Sequence, residues 1–229
     1  MAMLRLVEEV RFLATRSSGE VTGILMKPAA ARWLLVLAHG AGAGMRHEFM
    51  EAICARLAER QIATFRYQFP YTEAGRRRPD PTPILLNTVR SAVARAREAV
   101  PGLPLLAGGK SMGGRMTSMA AAREALEDVR GLVFLGFPLH PARKPSLERA
   151  EHLSAVDVPM LFLQGDRDRL AELDLLLPVV KNLGTGAKLH LEQDADHSFK
   201  VLRRSGRTHD EVLDALADAT AGWAKELKP

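Results

Sequence analysis

Uninterrupted apolar runs, separated by glycine-rich or polar turns, recur along this chain. Trp33-Leu34-Leu35-Val36-Leu37-Ala38 contains no polar position, as expected of a strand covered on both faces in a parallel sheet. Ile62 to Tyr67, Leu105 to Ala107, Gly131 to Leu135, Pro159 to Leu163 and Lys188 to Leu191 read as further strands. Between them, apolar positions return at helical spacing: Phe49, Ile53 and Leu57, then Leu85, Val89, Val93 and Val100, and finally Val212, Leu216, Ala219, Trp223 and Leu227. Helices are also expected from Arg115 to Leu126 and around Leu170 to Leu183. Thr82-Pro83 is a helix start, and Thr208-His209-Asp210-Glu211 matches a capping box. At the N-terminal end, Leu4 to Leu13 and Glu20 to Met26 read as two strands of a hairpin turning at Ser17-Ser18-Gly19.

This alternation predicts an α/β fold, an open and mostly parallel sheet with helices on both faces and an antiparallel N-terminal hairpin. Two stretches fall outside it. Tyr71 to Pro83, which holds Arg76-Arg77-Arg78 and three prolines, reads as a polar loop, and Phe137 to Val158 as an irregular segment. No internal repeat, low-complexity linker or composition shift divides the chain, so residues 1–229 are expected to form a single domain.

Composition narrows the classes. The 229 residues are 47% hydrophobic and 26% charged, which suits a water-soluble protein with a large core. The net charge of +5 is spread along the sequence, so nucleic acid is not an expected partner despite the arginine triplet. The single cysteine, Cys54, excludes an internal disulfide, and its place beside Met50 and Ile53 suits a packed core thiol. Met1 to Val10 does not read as a signal peptide, and the longest apolar run is too short to span a bilayer. A cytoplasmic protein with no membrane contact is expected. No His/Asp/Glu cluster has ligand spacing, so neither metal nor other cofactor is anticipated.

The chemistry centres on Leu105 to Gly114, where a strand turns on glycines into a helix. Gly109-Lys110-Ser111-Met112-Gly113 fits G-x-S-x-G, the pattern of a nucleophile elbow. A serine at the tip of so tight a turn brings its neighbours two residues away nearly into collision, which leaves room only for glycine. Gly109-Lys110-Ser111 could also end a phosphate-binding loop, but that pattern needs a glycine where Pro104 stands.

Serine needs a base, and the base needs a carboxylate to hold its tautomer. After Ser111, an aspartate and then a histidine at the carboxyl ends of later strands give Asp168 and His197, with Asp166 competing for the acid. Of the seven histidines, only His197 follows the acid at a strand's end; His190 lies inside a strand and His209 in a helix cap. Asp194 and Asp196 read as surface charges, and His39 as structural. An oxyanion needs two convergent backbone N–H groups. Met112 supplies one by following the nucleophile, and Ala41, or failing that Gly42, supplies the other from the loop His39 to Gly44.

Elbow, acid, base and glycine loop together make the sequence resemble an α/β-hydrolase, close to the small dienelactone-hydrolase-like members. His39-Gly40-Ala41-Gly42-Ala43-Gly44 with His47, and Phe69-Pro70-Tyr71 with Gly75-Arg76-Arg77, are similar to a branch whose relatives are described as testis-expressed proteins or chromatin-complex subunits. The resemblance implies a serine hydrolase, most simply a carboxylesterase cleaving small acyl esters through an acyl-enzyme on Ser111. It favours Asp168 over Asp166, because the acid commonly lies three residues beyond the glycine that ends its strand. The same machinery would serve a thioester or peptide, and a scaffold that kept the fold without the reaction is the other implied class. Two departures stand out. Dienelactone hydrolases proper use a cysteine where this chain has Ser111, and many esterases have histidine where it has Lys110. Phe137 to Val158 is too short for a full lid domain, which implies a shallow, open site. Gly42, Phe137, Leu139, His140 and Phe199 are its expected lining.

Overall fold

The computed structural model of the chain describes residues 5–227, so Leu4 of the expected first strand lies outside them. Eight strands form one sheet: β1 (Arg5–Thr15), β2 (Gly19–Pro28), β3 (Trp33–Ala38), β4 (Ile62–Tyr67), β5 (Leu105–Lys110), β6 (Val129–Leu135), β7 (Met160–Gly165) and β8 (Ala187–Glu192). Their order is β1-β2-β4-β3-β5-β6-β7-β8. The pairs β1/β2 and β2/β4 are antiparallel, and every pair from β4/β3 onward is parallel. The helices are α1 (Glu48–Glu59), α2 (Pro70–Glu73), α3 (Thr82–Ala99), α4 (Met112–Arg123), α5 (Leu173–Leu183) and α6 (His209–Glu226). Among the described residues, no helix is long and apolar enough to cross a membrane.

The pleat of β3 shows why its sequence is apolar throughout. Leu34, Val36 and Ala38 join one core with Val89 and Val93 of α3 and Met116 and Ala120 of α4. Trp33, Leu35 and Leu37 join a second core with Ile53 and Leu57 of α1 and Leu216 and Trp223 of α6. Side chains alternate across a strand, so a strand buried on both faces needs every position apolar. Each fully buried Leu or Phe contributes about 1.5–3 kcal/mol. Cys54 lies in the second core, buried and unbridged.

Several element boundaries differ from the periodicity. The helix after the elbow begins at Met112, directly after Ser111, and ends at Arg123. The polar loop opens with the short α2, where Pro70 stands in the first turn and its missing N–H would have had no partner. α5 begins at Leu173, because Asp168 and Leu170 belong to a turn that precedes it. Part of the irregular segment, Glu148–Ala155, is a 3₁₀ helix that buries Ala150 and Leu153. It is docked on α4 through a hydrogen bond between Ser118 Oγ and His152 Nε2 at 2.7 Å. The capping box of α6 forms as expected, with Thr208 and Glu211 each satisfying the other's backbone N–H.

Glycine positions separate packing from mere tolerance. A Cβ on Gly108 would lie 1.9 Å from the Val133 carbonyl oxygen of the neighbouring β6, whereas one on Gly222, on the exposed side of α6, would meet nothing within 4 Å. Gly108→Ala is therefore expected to destabilise the fold by about 3 kcal/mol or more. Gly222→Ala should stabilise it by about 0.5–1 kcal/mol. Urea denaturation of the two variants beside the parent chain checks both signs.

Candidate active site

Ser111 stands between β5 and α4 with φ 52° and ψ −118°, a left-handed conformation that a serine adopts only when its surroundings impose it. Backbone crowding imposes it here. A Cβ on Gly109 would be 2.5 Å, and one on Gly113 2.4 Å, from the carbonyl oxygen of Ala38 at the end of β3. The Ser111 N–H donates to the Leu135 carbonyl at 3.1 Å, which anchors the turn to β6. Its hydroxyl therefore projects beyond the carboxyl ends of the central strands, where ligands of open α/β sheets gather.

His197 and Asp168 reach it from 86 and 57 residues further along the chain. His197 Nε2 lies 2.9 Å from Ser111 Oγ, and His197 Nδ1 lies 2.6 Å from Asp168 Oδ2. The buried Asp168 carboxylate also accepts from Gln164 Nε2 at 2.5 Å and from the Leu170 N–H at 2.8 Å. An acceptor so placed keeps the proton of His197 on Nδ1, leaving Nε2 free to accept from the serine hydroxyl. Gln164 is itself fixed, since its Oε1 accepts from the Phe137 N–H at 2.9 Å. Among the described residues Asp166 forms no hydrogen bond or ion pair with His197; its backbone N–H donates to the Glu192 carbonyl at 3.1 Å.

The glycine loop is braced from below. His39 is fully buried; its Nδ1–H donates to the Gly40 carbonyl at 2.8 Å and its Nε2 accepts from the Phe69 N–H at 3.1 Å. Burial pushes its pKa down to about 4, with the Gly40 hydrogen bond acting against that, so the ring is neutral. Tyr71 Oη donates to the Ala41 carbonyl at 3.0 Å, while the Tyr71 N–H donates to Asp80, which also pairs with Arg76. One arginine of the triplet is thus part of the loop's support. Among the described residues, neither Ala41 nor Met112 donates its N–H to a protein acceptor.

A cavity of about 470 Å³ opens over Ser111 and His197, walled by Gly40 to Ala43, Phe49, Met50, Leu170 and Lys200 among others. A larger surface depression of about 680 Å³ lies apart from it, around Arg76 to Thr82. Of the expected lining, Gly42 stands on the cavity wall and the other four do not. Phe137 and Leu139 are fully buried in the first core and Phe199 in the second, stacked on Phe49. His140 is also fully buried, its ring turned toward Glu172 at 2.5 Å. The chain leaves β6 through Gly136 at φ 71°, and Leu139 bonds to the Leu170 carbonyl, so these side chains point inward beneath the site. Asp196 is not merely a surface charge, because its Oδ1 accepts from the N–H groups of Ser198 and Lys200 and shapes the His197 loop. The sequence reading missed Gln164, Phe49, Met50, Leu170 and Lys200. For Gln164 a signal existed, a lone amide at the end of an apolar strand two residues before Asp166.

Residues 31–225 match a family model described as an alpha/beta hydrolase domain. The whole fold is similar to dienelactone hydrolase from Anabaena variabilis, at 19% identity and a TM-score of 0.78, covering 98% of this chain and 99% of that one. It is also similar to XC6422 from Xanthomonas campestris, described as a serine hydrolase without a lid, at 20% identity and a TM-score of 0.74 over 95% of this chain and 94% of that one. The esterase domain of a Rhodothermus marinus protein matches at 14% identity and a TM-score of 0.69, over 97% and 99% of the two chains.

His39 and the half-buried His152 make stability depend on pH. His152, like His39, has its pKa pushed down to about 4, by burial first and then by the charge of Arg115. The unfolded chain takes up these protons near pH 6.5 and the folded one only near 4, so stability is present above 6.5 and is lost as pH falls toward 4. For His39 the loss amounts to about 3 kcal/mol. Urea midpoints measured from pH 7 to pH 4 should fall steeply in the parent and less steeply in His39→Gln, which starts from a lower value at pH 7.

Proposed function

Because the chain belongs to the alpha/beta hydrolases, we propose that it is a serine hydrolase that cleaves small acyl esters through an acyl-enzyme on Ser111. The observation that carries this reading is the unbroken hydrogen-bond line from Ser111 Oγ through His197 to Asp168, at 2.9 and 2.6 Å. His197 Nε2 takes the serine proton as Oγ attacks the ester carbonyl, and Asp168 stabilises the imidazolium that forms. The unpartnered N–H groups of Ala41 and Met112 receive the negative charge that develops on the carbonyl oxygen, with the N-terminal end of α4 adding its dipole. His197 then gives its proton to the leaving alcohol, and water enters by the same route in reverse to release the acid.

The cavity suits a small ligand. Phe49, Met50 and Leu170 offer an apolar wall for the acyl chain, and the loop Gly40 to Ala43 lets the ester approach the backbone. The likeness to a dienelactone hydrolase and to an esterase domain supports ester cleavage as the reaction class. We read residues 1–229 as one hydrolase domain acting without a cofactor.

A fluorophosphonate probe is expected to add to Ser111, detected as one adduct by intact mass, and a short-chain p-nitrophenyl ester is expected to be hydrolysed. Ser111→Ala should lose both, and His197→Ala should lose at least about a thousandfold in kcat with the fold retained. An absence of adduct on the folded parent protein would sink the reading. A parallel panel of thioesters and peptides decides the bond cleaved.

A further inference from the structure

The residue before the nucleophile is unusual in its surroundings. Lys110 ends β5 on the same sheet face as Leu106; it is half-buried, its side chain packing beside the second core while also lining the cavity over Ser111. Its Nζ lies 5.8 Å from the ring centroid of Phe49 and 5.4 Å from that of Phe199, two rings stacked on each other at 5.7 Å. Gly136 closes a third side, since a Cβ there would lie 3.0 Å from Lys110 Nζ and 3.4 Å from His197 Nδ1. Among the described residues, Lys110 forms no ion pair with a carboxylate. The one hydrogen bond its ammonium makes is to the His197 carbonyl oxygen, at 2.6 Å.

A methionine or leucine would cover these two rings without bringing a charge partly out of water. Burial pushes the Lys110 pKa down to about 8, while Asp168 and Asp196 act against that from beyond pairing distance. The remaining titratable groups around the cavity are His47, Glu48, Lys200 and His209. The ammonium is therefore held at a cost to folding, which its packing does not explain but its hydrogen bond does. Besides Ser111 to His197 itself, Lys110 to His197 is the only side-chain hydrogen bond in the described residues that joins the end of β5 to the loop Asp194 to Lys200.

We propose that Lys110 is a positioning residue, a strut from the elbow to the main chain of the base loop that sets where the His197 imidazole stands relative to Ser111 Oγ. The proposal rests on the hydrolase reading for what the positioning serves, but not for the strut itself. The nucleophile and the residue that holds its base are thus adjacent in the chain, and both side chains reach His197. Any shift of the elbow carries both together.

Lys110→Met tests this with three readouts. Hydrogen exchange of a peptide spanning residues 194–200 should become about tenfold faster, the change that one charge-assisted hydrogen bond makes in an opening equilibrium, with β5 and β7 unchanged. Fluorophosphonate labelling of Ser111 should slow by about 10- to 100-fold, as displaced reacting groups do. The melting temperature at pH 7 should be unchanged or higher. Because the folded lysine loses its proton near pH 8 rather than 10.5, its cost to folding is greatest below 8 and fades toward 10.5, so any gain in melting temperature shrinks over that range. Unchanged exchange in residues 194–200 would overturn the proposal. So would a lower melting temperature, faster exchange throughout the sheet or loss of the fold, each of which would assign Lys110 to packing. If the parent protein takes no label, the hydrolase reading fails, while the exchange comparison still decides the strut.

Discussion

Ser111 is held in a left-handed conformation because the backbone of β3 leaves no room for anything else. The carbonyl of Ala38 approaches so closely that neither Gly109 nor Gly113 could carry a Cβ, and the chain between them must turn within a single residue. The strain at that residue, of order 1–3 kcal/mol, is offset by strands that are buried on both faces and cannot slide. The rest of the site is arranged around the resulting fixed hydroxyl. α4 starts at the next residue and presents its N-terminal end, and the glycine loop after β3 lies against the same turn.

The remaining groups are polar side chains that the fold buries and then satisfies. Asp168 accepts three hydrogen bonds, from His197, Gln164 and the Leu170 N–H. Gln164 and His39 each use both ends of their side chains, the first to join Asp168 to Phe137 and the second to join Gly40 to Phe69. Satisfied polar groups in a low-dielectric interior rigidify what they join. Removing one partner leaves the other buried and unpaired, so each such contact tolerates little change. In the proposed reaction rigidity matters because hydrogen-bond donors aimed at a developing charge act only if they are already in place.

The fold and the residues of the candidate site were legible for different reasons. Apolar runs report burial on both faces of a strand, and this was enough to find the sheet. The G-x-S-x-G spacing is a steric requirement written into residue type, so Ser111 could be found without coordinates. The rule that open α/β sheets gather ligands at the carboxyl ends of their strands pointed to His197 and left Asp168 beside Asp166, with the family resemblance favouring Asp168. The lining was not legible, because an aromatic side chain near a strand's end can face the cavity or the core equally well. Phe137, Leu139 and Phe199 face the core, while Phe49 and Met50, which periodicity assigns to a buried helix face, reach the cavity wall.

By itself, then, the sequence determined the order of the strands and of the longer helices, the elbow and the residue types around it, since each is a local constraint of periodicity or of steric volume. Which carboxylate meets His197, which way the side chains after β6 turn, and what Lys110 bonds to were decided only by the tertiary structure. Those outcomes depend on distances between segments far apart in the chain, and such distances exist only once the parallel strands have brought their ends together.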